Sequence, residues 1–267
     1  DDNNNTWIGT NAGIQVFKKD KMTSFTRSEG LTTDVISTIM QDSRKTIWIG
    51  TNGGGLNKFH DGKFTSFTYK DGLPNDIINS IFEDNEGNLW VGTRVGFLNQ
   101  LKNSFSTIYT VREGISNNFI RSITEGKSGA IWIGTNGDGV NKIDQGKITT
   151  FNSANGLSHG VVRSVLEDSD GFLWVGTYGG GLNKLVNNRF QVYNHKNGFL
   201  NDVVMSMIET TDKKLWVGTG AGIAIMGKRS RKYESISNSD GLNHNYIRAL
   251  MQDSKGNVWI GSSRGVN

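Results

Sequence analysis

The chain has 267 residues and no cysteine, which excludes disulfides and thiol catalysis and leaves the compartment open. Lys and Arg number 29 against 25 Asp and Glu, and the formal charge of +4 is scattered, with no basic block of the kind that binds nucleic acid. No apolar run approaches the ~18 residues that cross a bilayer, so membrane attachment is expected only through segments outside this chain.

Glycine is abundant at 35 residues and proline is limited to Pro74, a composition of tight turns between short β-rich runs. In chain order the first clear signal is Trp7-Ile8-Gly9-Thr10. It returns at Trp48, Trp90, Trp132, Trp174, Trp216 and Trp259, at spacings of 41, 42, 42, 42, 42 and 43 residues, and accounts for every tryptophan. A period in the range of roughly 20–50 residues marks a repeat architecture.

One unit shows the plan. Asp34–Met40 is rich in β-branched residues and reads as a first strand. Asp42–Lys45 is a polar turn, and Thr46–Thr51 a second strand. Asn52-Gly53-Gly54-Gly55 supplies a glycine turn before a third strand, Leu56–Phe59. His60-Asp61-Gly62-Lys63 carries the Asp-Gly hairpin signal before a fourth strand, Phe64–Thr68. Asp71-Gly72-Leu73-Pro74 leads into the next unit. Four short strands joined by tight turns make one antiparallel propeller blade. First strands recur at Ile77–Phe82, Phe119–Thr124, Val161–Leu166, Val203–Ile208 and Tyr246–Met251. Each holds a small residue (Thr38, Ser80, Ser122, Ser164, Ser206, Ala249) where neighbouring sheets are expected to crowd. The tryptophans are expected to fill the wider part of each wedge.

The expected fold is therefore an all-β propeller of four-stranded antiparallel blades, a single domain over 1–267. Seven second strands but six first and six fourth strands favour seven blades with an incomplete first and last blade. A six-bladed ring is the alternative, and would leave the strand at Trp259 without a place. Both ends cut through a repeat, which reads as a fragment of a longer array.

The run Ile78-Asn79-Ser80-Ile81-Phe82-Glu83-Asp84-Asn85-Glu86-Gly87-Asn88-Leu89-Trp90-Val91-Gly92-Thr93, its copy from Val162 to Thr177, and the steps Gly72-Leu73-Pro74 and Gly156-Leu157-Ser158 resemble the two-component regulator propeller repeat. The resemblance covers essentially the whole chain. It implies a periplasmic sensor portion of a bacterial inner-membrane receptor, homodimeric in the full protein, with a histidine kinase, hybrid kinase or diguanylate cyclase as output. It also implies an oligosaccharide as one class of ligand. The immunoglobulin-like domain and the membrane segment that accompany such propellers are absent from this chain. The Asp-x-x-Gly-x-x-Trp turns at Asp84, Asp168 and Asp253 are also similar to the Asp box of sialidase-type propellers, in which the Asp bonds the backbone of its own turn. Asp42 departs from that pattern at Lys45. A Ca²⁺ site is not expected there, since each turn offers one or two carboxylates and Ca²⁺ takes ~6–8 oxygens.

Positions that vary between copies are where recognition can reside. The residue after the first-strand aliphatic holds Ser37, Asn79, Arg121, Arg163, Met205 and Arg248. On an innermost strand these side chains would lie near a central channel, and converging arginines favour a carboxylate or sulfate. The competing reading pairs each Arg with a neighbouring Glu83, Glu125, Glu167 or Glu209. The loops entering the first strands add His159 and His244 beside Asn and Asp residues. The turns after the second strands add Arg94 and Tyr178. The candidate ligand-binding set is thus Arg121, Arg163, Arg248, Asn79, His159, His244, Tyr178 and Arg94. His60 and His195 fall on the outside. No metal site, cofactor or catalytic constellation is expected. The enzyme alternative is a lyase-type propeller using His159 or His244, or sialidase-like chemistry; a protein-interaction scaffold is the third reading.

Overall fold

The computed structural model describes residues 1–18, 21–94, 98–102, 105–230 and 232–267. Two compact units are present, Asp1–Ile123 and Thr124–Asn267. The fold is an all-β, seven-bladed propeller of antiparallel sheets. Blades two to six have four strands in chain order, and the first and last have three. Seven sheets form, so the six-bladed alternative does not hold. In blade two the strands are Ile36–Gln41, Ile47–Thr51, Leu56–His60 and Lys63–Phe67, each within two residues of expectation.

The blades are joined by a repeated apolar fit. The glycine of Trp-x-Gly-Thr faces the first aliphatic of the following blade. A Cβ on Gly50 would lie 2.7 Å from Ile78 Cγ2, and one on Gly176 2.5 Å from Val204 Cγ1. Gly9 and Ile36, Gly92 and Ile120, and Gly218 and Ile247 repeat the contact. No side chain fits there, so the neighbouring sheet closes to contact. Across the ladder the same glycine pairs with the small residue of its own first strand, Thr38 with Gly50 and Ser164 with Gly176.

A polar bond repeats beside it. The last residue of a first strand reaches back to the turn of the preceding blade. Glu83 accepts from Ser43 N, Glu209 from Ser169 N, Gln252 from Thr211 N and Gln41 from Asp2 N. Within each turn the Asp carboxylate does more than cap its backbone. Asp168 Oδ1 accepts from Asp170 N and Phe172 N, and its Oδ2 accepts the Trp174 indole at 2.8 Å. The bond to the tryptophan six residues on recurs at Trp7, Trp48, Trp90 and Trp259. Blade four lacks the acid because Gly126 stands there; Trp132 donates instead to Glu167 of the next blade.

Of the loops from fourth to first strands, read in the sequence only as links to the next unit, five carry a 3₁₀ turn: Arg27–Glu29, Tyr69–Asp71, Ser153–Asn155, His195–Asn197 and Asn238–Asp240. Each is closed by a capping box and ends on a glycine with positive φ, Gly72 at 96° for example. The residue after that glycine returns its N–H to the cap carbonyl, as Leu73 does to Thr68, and is buried. That is the physical content of the Gly-Leu step.

A buried Asn in the third strand ties this loop down. Asn57 accepts from Thr32 N and donates to Thr32 Oγ1, and Asn183 accepts from Ser158 N; in blade seven the exposed Asn267, just past the short third strand, accepts from Asn243 N. Blade six replaces the pair with apolar Leu200 and Ala224. Blade three breaks the rule. Pro74 stands where the N–H and hydroxyl should be, and both side-chain polar atoms of Asn99 are buried without a partner among the described residues. Pro74→Thr should therefore stabilise the protein. A satisfied buried amide is worth roughly 1–3 kcal/mol, and losing proline returns about 0.4–1 kcal/mol of unfolded-state entropy. The expected net gain is about 1 kcal/mol by urea denaturation; a loss of stability would show that Asn99 is satisfied otherwise.

Acid should loosen the turns. The Trp259 indole and the Asn257 amide hold the Asp253 carboxyl at about 2. Bonds at the loop caps, led by the Thr26, Thr68 and Ser237 backbones, lower Glu29, Asp71 and Asp240. These groups bind protons more weakly folded than unfolded, so their stabilisation is complete above the ordinary carboxylate range near ~4 and is lost as pH falls through their folded values. A melting-temperature profile should be flat in this respect at neutral pH and fall between about pH 4 and pH 2. A profile that stays level to pH 2 would rule the carboxylates out as contributors.

Candidate functional site

Every first strand whose ladder can be followed enters its sheet through a β-bulge. In blade five Val162 pairs with Thr177 and Ser164 with Gly176, which leaves Arg163 as the extra residue. Ser37, Asn79, Met205 and Arg248 are the extra residues of blades two, three, six and seven. A bulge residue has no ladder partner, and bulges re-aim side chains next to functional sites. The position that varies most between copies is thus the one the sheet does not use.

The residue after each second strand sits opposite. Its N–H donates to the carbonyl two residues before the bulge: Tyr178 to Val161, Ser263 to Tyr246, Gly220 to Val203 and Arg94 to Ile77. Bulge residue and turn residue therefore meet. The Arg163 guanidinium lies 4.8 Å from the Tyr178 ring centre. Arg248 Nε donates to Ser263 Oγ at 3.1 Å, and its guanidinium lies 5.4 Å from the Tyr246 ring. Arg121 stacks 4.3 Å over Phe119. A stacked guanidinium keeps its in-plane N–H donors for an oxyanion. Arg163 Nε is buried without a hydrogen-bond partner. Among the described residues neither Arg163 nor Arg248 makes an ion pair.

The alternative pairing of these arginines with Glu83, Glu167 or Glu209 is not what forms. Those carboxylates take backbone N–H groups of the preceding blade's turn, as Glu167 does from Lys127. Asn79 is likewise drawn into the scaffold, where its amide donates to Ile120 O at 2.8 Å. Arg94 is exposed in its turn.

The two histidines share a loop position with Asn75, Asn117 and Asn201. All five accept the N–H two residues on, through Oδ1 in the asparagines and Nδ1 in His159 (3.1 Å) and His244 (2.9 Å). That bond leaves the ring proton of a neutral imidazole on Nε2, as a donor. The next position holds Asp34, Asp76, Asn118, Asp202 and Asn245, whose side chains bond the N–H seven residues upstream; blade five has Gly160 there instead. So the structure brings Arg163 and Tyr178 together in blade five and Arg248, Ser263 and Tyr246 together in blade seven, with His159 and His244 on the loops that lead into those bulges. Arg121 and Arg94 belong to the first unit.

A second charged cluster escaped sequence reasoning. Blade six has a longer final hairpin, Gly227 to Lys232. Lys228 Nζ reaches Glu209 Oε1 at 2.8 Å, Asp170 Oδ1 at 3.1 Å and Ser169 Oγ at 2.8 Å. Lys184 donates to Lys228 O at 2.7 Å and lies 3.6 Å from the Phe172 ring. Burial pushes the Lys184 ammonium down; the Glu209 bond pushes Lys228 up. Lys228 and Glu209 are enclosed and Asp170 is partly exposed, and their bonds clamp blade five to blade six. The clue in sequence was the short run Lys228-Arg229-Ser230-Arg231-Lys232, within a chain whose charge otherwise reads as scattered. Its residue 231 lies outside the described residues.

Among the described residues no group of three or more His, Asp or Glu side chains could hold a metal ion, and no helix is long and apolar enough to cross a membrane.

Comparison with known proteins adds identity to this geometry. The sequence profile described as two component regulator propeller matches residues 30–53, 72–94, 114–137, 156–179 and 241–264. No curated protein sequence matches. The chain is similar to the extracellular domain of the hybrid two component system BT3049 from B. thetaiotaomicron, at 25% identity and a TM-score of 0.86 over all of this chain and 37% of that one. The corresponding domain of BT4673 from the same organism has 21% identity and a TM-score of 0.79, with 98% of this chain and 38% of that one covered. The chain thus spans under two fifths of either relative. Virginiamycin B lyase from Staphylococcus aureus shares the fold at 15% identity and a TM-score of 0.79, with 100% of this chain and 90% of that one covered. Five profile matches, on blades two to five and on blade seven, show that the chain carries two component regulator propeller repeats.

Proposed function

We propose that this chain is the extracytoplasmic, periplasmic sensing propeller of a two-component-type receptor, and that it binds an oligosaccharide carrying acidic groups. The observation that carries the reading is the repeat family itself, seen again in the extracellular domains of hybrid two component systems. The site supports the ligand class: stacked arginines at bulge positions suit a carboxylate or sulfate, and exposed Tyr178 offers a face for a sugar ring. In the full receptor the propeller would act as a homodimer and pass a change of geometry to output domains outside this chain. The lyase reading needs a general base. His159 and His244 give Nδ1 to their own loops, and no carboxylate among the described residues bonds either ring.

A thermal-shift screen against neutral and acidic oligosaccharides tests this. At about a hundredfold excess over Kd a binder adds about 2.7 kcal/mol, worth roughly 5–10 °C in a domain of this size. An acidic oligosaccharide should give such a shift and be recovered intact. Turnover of the sugar would refute the sensing reading, and no shift from any of them would refute the oligosaccharide as its ligand.

A further inference from the structure

Blades five and seven share a constellation that the other blades lack. His159 and Arg163 are four residues apart, as are His244 and Arg248, with the histidine in the loop and the arginine on the bulge. The equivalent pairs elsewhere are Thr33 with Ser37, Asn75 with Asn79, Asn117 with Arg121 and Asn201 with Met205. Blade six, between the two, is the least polar at both variable positions. Its bulge residue is Met205 and its turn residue is Gly220, which has no side chain. The first strands of blades five, six and seven lie side by side. Tyr246 of blade seven leans towards blade six, its hydroxyl 3.7 Å from Met205 Sδ.

We propose that these three strand ends form one site for a ligand with two oxyanions held apart by a neutral body. The proposal rests on the sensing reading above and deepens it. Arg163 takes one oxyanion and Arg248 the other; each guanidinium is held by an aromatic ring, and although Arg248 spends Nε on Ser263 Oγ, its two terminal nitrogens keep their donors. His159 and His244 add an Nε2–H beside each arginine. The uncharged stretch between them, formed by Met205, Gly220 and the Tyr246 ring, faces the neutral body. The carboxylate of Asp202, in the blade six loop, accepts His195 N at 2.6 Å and is engaged with that loop's 3₁₀ turn. Stacked sheets lie ~10 Å apart, so the two arginine backbones are at most about 20 Å from one another, and their long side chains shorten the gap. The shared chemistry is a paired carboxylate or sulfate, supplied either by two acidic sugars of one chain or by a dicarboxylic acid.

Calorimetric titration with oligogalacturonates of one to six sugars, and with linear dicarboxylates, tests the site. Affinity should step up by about tenfold or more at the length that spans both arginines. Arg163→Ala and Arg248→Ala should each remove that step and bring the hexamer to the affinity of the monomer. Arg163→Lys and Arg248→Lys should keep part of it, and Arg189→Ala on the outer strand should keep all of it. Melting curves establish that each variant is folded. A hexamer bound no better than the monomer, or one indifferent to both alanine variants, overturns the site. Neutral oligosaccharides binding in that case leave the sensing reading standing. Dicarboxylate binding lost in both alanine variants, with no oligosaccharide bound, sustains the paired site and overturns the sugar reading. Absence of binding by every acid overturns the site.

Discussion

The molecule depends on a missing side chain. Where Trp-x-Gly-Thr passes the next blade, the absent Cβ lets an isoleucine or valine settle onto the backbone of the neighbouring sheet. Ile78, Ile120, Val204 and Ile247 are fully buried in that seat. Any side chain at Gly50 or Gly176 would push two sheets apart, and close-packed interiors do not absorb such a change locally. The fit also fixes the site. The aliphatic that enters the seat is the residue immediately before the bulge, so seating Ile247 sets the position of Arg248, and seating Val204 sets that of Met205. Scaffold and recognition are one residue apart on the same strand.

Much of the scaffold was legible in sequence because its interactions are local and repeated. Strand limits, hairpin turns and blade count follow from the tryptophan period, the β-branched runs and glycine placement. What was not legible is what joins one repeat to the next. Nothing in the composition of Asp42-Ser43-Arg44-Lys45 says that Glu83 will bond Ser43, because the partner lies forty residues away and either residue could be an ordinary surface group. The 3₁₀ turns were missed for a different reason. Thr26 and Glu29, or Thr68 and Asp71, do spell a capping box, but in a segment too short to carry a helical period. Trp132 shows the reverse case. Its own turn has lost the acid, and the next blade supplies one.

The site was legible only as a list of positions. Comparing internal copies found the variable residue of the first strand, but not that it is a bulge, since a bulge is a relation between two strands. Nor could it sort the list. Asn79 and Arg163 hold equivalent positions, yet one bonds the next sheet's backbone and the other stacks on a tyrosine. The histidines invited a catalytic reading because histidine usually signals chemistry at neutral pH. Their loop neighbours Asn75, Asn117 and Asn201 show that the position asks first for an acceptor two residues ahead of an N–H. Histidine meets that demand with one nitrogen and keeps the other.

This economy explains why the same fold can serve sensing proteins and lyases. Blades two, three, five, six and seven each offer two positions outside the ladder pairing, the bulge residue and the residue after the second strand, brought together by a single backbone bond such as Tyr178 N to Val161 O. Ser37 with Asn52, Arg163 with Tyr178 and Met205 with Gly220 are interchangeable as far as the sheet is concerned. Substitution there alters the chemistry these positions present without touching the glycine seat, the Asp–Trp bond or the loop caps. By contrast, a residue such as Glu209 is committed twice over, to the turn of blade five and to Lys228, and its loss would unclamp two blades at once. The chemistry on offer in this architecture therefore changes by pairs of residues, blade by blade, while the distance between pairs is set by the stacking of the sheets and not by the side chains at those positions.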